Sequence, residues 1–217
     1  MNEQSYSLND NKQEPIDKKL DKIFGKSNGV YIELGANNGL LQSNTAFFDF
    51  YRNWSGILIE PDINAYNLCK INRPKNIVLN YCCVSNDYVN ETIKGDFTNS
   101  NLMASVNGER LNSQDLVEVE SITLDKVFET YLQNKKVDLI SIDTEGYEYN
   151  VLLGLNLNKN RPKYFLIEIY DKDYEKILNY LINNNYCLHS NFSNYNKNDN
   201  IHWDGTHNDF LFYDNLT

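Results

Sequence analysis

Residues 29–39 read Gly-Val-Tyr-Ile-Glu-Leu-Gly-Ala-Asn-Asn-Gly. Val30, Tyr31, Ile32 and Leu34 suit a buried strand, and Gly35 and Gly39 let the backbone turn tightly and approach a ligand. The pattern predicts a strand running into a glycine turn that opens a helix, the device by which α/β sheets hold nucleotide-containing cofactors. The glycine spacing is Gly-x-x-x-Gly, not the Gly-x-Gly-x-x-Gly of dinucleotide-binding dehydrogenases, and it fits an adenosylmethionine-binding turn better. Leu40, Leu41, Thr45, Phe47, Phe48, Phe50 and Tyr51 are predicted to form the helix, its first-turn amides aimed at the ligand.

A chain of 217 residues accommodates one α/β domain. Polar residues 1–15 read as a flexible tail, and residues 16–217 as a single domain that opens on a helix striped by Ile16, Leu20, Ile23 and Phe24 and stopped by Gly25. A net charge of -10 argues against a nucleic-acid partner, because a phosphate backbone would be repelled. Cys69, Cys82, Cys83 and Cys187 show no Cys-x-x-Cys spacing, so they are expected as reduced, buried thiols. With no leader-like segment and no run of about 18 apolar residues, the expectation is a cytoplasmic protein without a membrane span.

Along the chain, a second strand over residues 56–59 ends at Glu60, followed by Pro61. An acidic residue there, some twenty positions past the glycine turn, is placed to accept bonds from ribose hydroxyls. Ile63, Tyr66, Leu68 and Ile71 mark a helix; residues 76–84 read as a third strand, with Val84 and Ser85 lining the place of an adenine. Residues 88–116 lack periodicity and read as a lid or binding loop. Residues 117–122 alternate like an edge strand, and Thr123 is the predicted cap of the next helix.

Val137, Leu139, Ile140 and Ile142 predict a fourth strand with Asp143 at its carboxyl end and Glu145 just beyond, both facing the crevice that holds Gly35 and Glu60. Glu168 stands near the end of a fifth strand over residues 164–169. Short strands over 186–189 and 209–213 enclose a polar loop, residues 190–208, predicted to overhang an acceptor pocket. All three histidines, His189, His202 and His207, fall in this region.

These segments resemble the FkbM family of S-adenosylmethionine-dependent methyltransferases over roughly residues 29–213. The resemblance is carried by Glu33-Leu34-Gly35-Ala36-Asn37-Asn38-Gly39, Ser43-Asn44-Thr45, residues 54–61, Cys83-Val84-Ser85, Ile142-Asp143-Thr144-Glu145-Gly146 with Glu148, and Asn208–Phe212. It implies a Rossmann-like class I α/β fold: a seven-stranded, mostly parallel sheet, its last strand antiparallel, with helices on both faces. It also implies O-methylation, often of sugars or secondary metabolites. Several members have Lys before the Ile-Asp of the fourth strand, where this chain has Ser141.

On that basis the cofactor is S-adenosylmethionine. Gly35, Ala36, Asn37 and Gly39 are assigned to its amino-acid portion, Glu33 to its ammonium, Glu60 and Pro61 to the ribose, Val84 and Ser85 to adenine, and Asp143 to the reacting end. Asp143, Glu145 and His202 are the catalytic candidates, and Asp143 with Glu168 is a candidate Mg2+ pair. A sugar or glycan hydroxyl is the expected acceptor, with Trp203, Asn194 and Asp204 supplying an aromatic platform and hydrogen bonds. The sequence leaves the oligomeric state open, a homodimer included. Two rival readings are a nicotinamide-dependent sugar oxidoreductase, disfavoured by the missing middle glycine, and a cofactor-binding protein without catalysis.

Overall fold

The computed structural model describes residues 3–133 and 135–216. Met1 and Asn2 of the expected tail, and Thr217, lie outside the described residues. The strands are β1 (Val30–Leu34), β2 (Ser55–Ile59), β3 (Ile77–Leu79), β4 (Cys82–Val84), β5 (Thr92–Gly95), β6 (Val117–Thr123), β7 (Leu139–Ile142), β8 (Tyr164–Tyr170), β9 (Tyr186–Asn191) and β10 (His207–Asp214). The α-helices are α1 (Ile16–Phe24), α2 (Ala46–Arg52), α3 (Ile63–Asn72), α4 (Leu124–Val127), α5 (Glu148–Leu153) and α6 (Tyr174–Asn183).

Seven strands form the main sheet in the order β3-β2-β1-β7-β8-β10-β9. Neighbours from β3 to β8 are parallel, and β10 is antiparallel to both β8 and β9. The order reverses between β1 and β7, where Leu34 pairs with Ile142. A crevice beyond the carboxyl ends of the strands is expected there.

Strand alternation divides the core into two layers. Ile32, Leu34, Ile57, Ile59, Ile140 and Ile142 pack on one face with residues of α4, α5 and α6. Tyr31, Leu58, Leu139 and Leu166 pack on the other with Ile16 and Leu20 of α1, Phe47 and Phe48 of α2, and Cys69 of α3. On this second face Phe24, Phe48, Trp54 and Tyr164 form a ring cluster with centroids 4.8–5.4 Å apart. The second face also contains a wholly buried cation, Arg73. Its Nε donates to Asp49 Oδ2 (2.7 Å), Nη1 to the Gly39 carbonyl (2.8 Å) and Nη2 to the Tyr31 hydroxyl (2.5 Å).

Several expectations are corrected. No helix opens at Gly39; α2 begins only at Ala46, because Asn37 and Gln42 adopt positive φ and the Asn38 side chain captures the Leu40 and Leu41 amides in a turn. The third strand breaks into β3 in the main sheet and β4 in a second, three-stranded sheet. Between them the Asn80 side chain donates to the Glu60 and Pro61 carbonyls, 2.8 Å each. β6 is not an edge strand but the centre of that second sheet, between β4 and β5. β5 itself arises within residues expected to be irregular. α3 buries Ala65 and Cys69, while Ile63, Leu68 and Ile71 point outward. Residues 3–15, expected to be a flexible tail, lie against the domain, with Asp10 buried and the Asn11 amide bonded to the Ser193 carbonyl.

Replacing Arg73 with Met leaves Asp49 as a buried charge without its guanidinium and unpins the Gly39 turn. Urea unfolding of Arg73→Met is expected to show a loss of about 3–5 kcal/mol.

Candidate functional site

A cavity of about 1030 Å³ opens at the carboxyl ends of β1, β2, β7 and β8. That is the upper end of the range for small-molecule pockets, with room for two reactants. Its walls come from the glycine turn, the ends of β2 and β7, residues 97–110, the N-terminal segment, and the loop of residues 192–206, here called the strap.

At one end Gly35 has φ +74°, and a Cβ there would overlap the Asp143 carbonyl oxygen. Only glycine lets the ends of β1 and β7 meet. The turn's amides are already spent. Gly35 and Ala36 N–H both donate to the Ile59 carbonyl, Asn37 N–H to Glu60 Oε2 (2.7 Å), Asn38 N–H to Asn37 Oδ1 and Gly39 N–H to the Ala36 carbonyl. The turn therefore offers a ligand free space but no free N–H donors at residues 35–39. Glu60 is buried, and its other oxygen accepts the Asp62 amide at 2.8 Å. Burial pushes its carboxyl up to about 7, against the pull of the two amide bonds. Ser100 closes this end from above, its amide on Asp62 Oδ2 and its carbonyl accepting from the Asn37 side chain.

At the other end Asp143, Glu145 and Glu168 each bring a carboxylate oxygen within 4.8 Å of the others. Burial first, then the neighbouring carboxylates, pushes Asp143 and Glu168 well above the usual range. Burial likewise raises Glu145, although Tyr170 OH (2.5 Å) and Arg110 Nε (3.2 Å) both donate to its Oε2. Glu148 holds the loop behind them, accepting from Thr144 and Gly146 at 3.0 Å. Arg110 also reaches Asp204 on the strap. Burial opposes it, but bonds from Thr206 and Arg110 hold Asp204 down at about 2. His207 lies between Asp204 (Nδ1, 3.3 Å) and Glu168 (Nε2, 3.3 Å), and burial lowers its pKa.

The structure brings Gly35, Ala36, Asn37, Glu60, Pro61, Asp143, Glu145, Glu168 and His202 to one cavity. It does not bring Glu33, Gly39, Val84 or Ser85 there as lining residues. Glu33 follows Tyr31 on the opposite face of β1, where its carboxylate accepts from Ser43 Oγ, the Asn44 amide and Thr45 Oγ1 and ties down the approach to α2. Gly39 is packed on Arg73 and Cys69. Because the third strand breaks, Tyr81, Cys82 and Cys83 line the cavity in place of Val84 and Ser85. His202 is an exposed wall residue, whereas His207 is the histidine that touches the acidic cluster, and His189 is exposed on β9 away from it. Asn194 is exposed and outside the lining, and the Trp203 indole N–H is spent on the His207 carbonyl. Arg110, Tyr195 and Asn200 also line the cavity; no motif in an aperiodic loop singles them out.

The family model for the methyltransferase FkbM domain matches residues 33–188. The chain belongs to the FkbM methyltransferase family. The match contains the glycine turn, Glu60 and the acidic cluster; the strap and the N-terminal segment lie outside it. No curated protein matches the FkbM chain by sequence. Among solved structures it is similar to PH1948 from Pyrococcus horikoshii, described as a candidate RNA methyltransferase (TM-score 0.51, 10% identity, covering 93% of this chain and 81% of that one). It is also similar to M. capricolum TrmK in complex with S-adenosyl-homocysteine (TM-score 0.48, 10% identity, 91% and 68%). At 10% identity the likeness to the Pyrococcus horikoshii protein speaks for the fold alone. No helix among the described residues is long and apolar enough to cross a membrane.

Glu60 titrates higher in the folded chain than its ordinary value of 4.5, so the folded state binds the extra proton. Its contribution to stability is present below about 4.5 and is lost as pH rises through about 7. Urea midpoints of the ligand-free protein, measured from pH 4.5 to 7.5, are expected to fall less steeply with pH in Glu60→Gln than in the wild type.

Proposed function

We propose that this FkbM methyltransferase transfers a methyl group from S-adenosylmethionine to a hydroxyl of an uncharged sugar or glycan. One observation carries the acceptor. Among the described residues, Glu168 Oε2, the Tyr195 hydroxyl and Asn200 Oδ1 are buried without a hydrogen-bond partner, and all three residues line the cavity. Buried polar atoms are rarely left orphaned, so a ligand bearing several hydroxyls is their natural complement.

The donor end suits a cationic cofactor. Spent amides leave no N–H cradle for a pyrophosphate, which counts against the nicotinamide reading, while Glu60 retains lone pairs for ribose hydroxyls. When bound, S-adenosylmethionine supplies a methyl group activated by its sulfonium. Gly35 keeps that end of the cavity clear, and Asp143, joined to it by the β1–β7 contact, faces the reacting centre. The acceptor oxygen forms its bond to the methyl carbon, the carbon–sulfur electron pair leaves with sulfur, and the hydroxyl proton passes to the Asp143–Glu168 carboxylate pair. Burial makes that pair a stronger base than an exposed carboxylate. Of the three carboxylates, Glu145 is already engaged, with Arg110 and Tyr170 both donating to its Oε2, so Mg2+ would compete with a resident cation. No step is assigned to a metal.

Among the described residues, the cavity is lined by Glu60, Asp143, Glu145, Glu168, Asp199 and Asp204 against a single Arg or Lys, Arg110. That balance, with a net charge of -10, opposes a phosphate-bearing acceptor, including RNA of the kind named for the Pyrococcus horikoshii protein.

Incubation with labelled methyl donor and a panel of methyl hexosides, hexose phosphates and RNA is expected to label the hexosides alone, in the presence of chelator as in its absence. Label on RNA or on the phosphates overturns the acceptor class. Absence of label together with S-adenosylhomocysteine binding by calorimetry favours the non-catalytic reading. Asp143→Asn is expected to lower kcat about 10²–10⁴-fold while leaving S-adenosylhomocysteine affinity nearly unchanged.

A further inference from the structure

We propose that Lys19 is a positioning residue for the acceptor: it couples the N-terminal segment to the root of the strap and thereby sets where Tyr195 and Asn200 stand in the cavity. The inference rests on the acceptor reading above.

Lys19 projects from α1, whose Ile16 and Leu20 are sealed in the core, so its base is fixed. Its ammonium bonds Asp10 Oδ2 at 2.8 Å, donates to the Phe192 carbonyl, and lies 4.4 Å from the centroid of the Phe192 ring. One cation thus holds an N-terminal turn and the first residue of the strap together.

Both partners are organised to receive it. Asp10 is buried, and its other oxygen accepts the Lys12 and Glu14 amides at 2.8 and 2.9 Å, closing the turn before α1. Asp17, wholly buried, anchors the preceding residues through Ser5 Oγ and the Tyr6 amide at 2.8 Å each. The segment then meets the strap directly: Asn11 N–H donates to the Ser193 carbonyl (3.0 Å) and Gln13 Nε2 to the Asp199 carbonyl (3.4 Å). Leu8, Asn9 and Gln13 complete the cavity wall beside the strap.

The strap has no strand or helix of its own across residues 192–206. Its root is tied to β10, with the Phe192 and Ser193 amides on the Asp209 carbonyl and the Tyr195 amide on Asn208 Oδ1. Those ties fix the root relative to the sheet; Lys19 fixes it relative to α1 and the N-terminal wall. Tyr195 lies three residues beyond Phe192, and Asn200 sits next to Asp199, the other point held by the segment. Loss of the Lys19 link therefore displaces acceptor-facing groups while leaving Gly35, Glu60 and the donor end untouched.

The test compares Lys19→Met, Lys19→Arg and the double variant Asp10→Asn/Lys19→Met, which leaves no buried carboxylate orphaned. The assay uses labelled methyl donor and the methyl hexoside on which the wild type places most label. Lys19→Met and the double variant are expected to raise KM for the hexoside about tenfold with kcat within about threefold, and Lys19→Arg to recover most of the loss. Calorimetric affinity for S-adenosylhomocysteine is expected to stay within about twofold. An unchanged hexoside KM, or a parallel loss of S-adenosylhomocysteine affinity, overturns the proposal. If the wild type labels no hexoside, the acceptor reading fails, and Lys19 is judged by amide exchange. Faster exchange across residues 192–206 than in the wild type, with β1 and β2 unchanged, supports the positioning role; equal exchange overturns it. Should Lys19→Met not fold, the double variant carries both measurements.

Discussion

The contact between Gly35 and the carbonyl of Asp143 is the constraint on which the site depends. β1 and β7 are parallel neighbours at the reversal of strand order, and their carboxyl ends approach until a single Cβ would not fit. A positive φ at residue 35 is tolerated for the same reason that the contact is possible: the residue has no side chain. This one approach sets the glycine turn beside the acidic cluster, so that the two ends of the cavity are held together by the sheet itself and by no moving part.

A second consequence concerns charge. Three carboxyl groups within 4.8 Å of one another cannot all ionise cheaply at the bottom of a cavity, and Arg110 neutralises only the outer member. The inner pair keeps a raised proton affinity. Arg110 serves this arrangement from residues 97–110 and reaches the strap through Asp204, so two aperiodic stretches are joined directly over the acidic cluster.

Much of this was legible in the sequence wherever one residue determines local geometry. Gly35, Glu60 and Asp143 stand at strand ends whose apolar runs are unambiguous, and strand ends of a parallel sheet face one crevice. The tyrosine and asparagine of the strap were not legible, because nothing in an aperiodic loop says which polar side chains turn inward. The break after β3 was hidden as well: apart from Asn80, residues 77–84 read as one apolar run, and the interruption is made by Asn80 reaching back to the Glu60 and Pro61 carbonyls. Residues 3–15 were misread for a related reason. Their polarity resembles a tail, yet Asp10 and Asp17 spend it on closing turns against α1.

Glu33 shows how strand periodicity decides role. It lies inside the most family-specific segment, two residues before the critical glycine, and a carboxylate there invites assignment to the cofactor's ammonium. Side chains alternate, however, and Glu33 shares a face with Tyr31, so it must point away from the layer of Ile32 and Leu34 and into the α2 side. There it collects Ser43, Asn44 and Thr45, with Arg73 4.0 Å away. Those bonds, together with the Asn38 turn, hold the chain in a loop for six residues after Gly39, which is why α2 begins late. The carboxylate therefore acts from behind the cavity: it ties the approach to α2 from the face of β1 that carries Tyr31, and so fixes the wall that follows the glycine turn rather than a ligand in front of it.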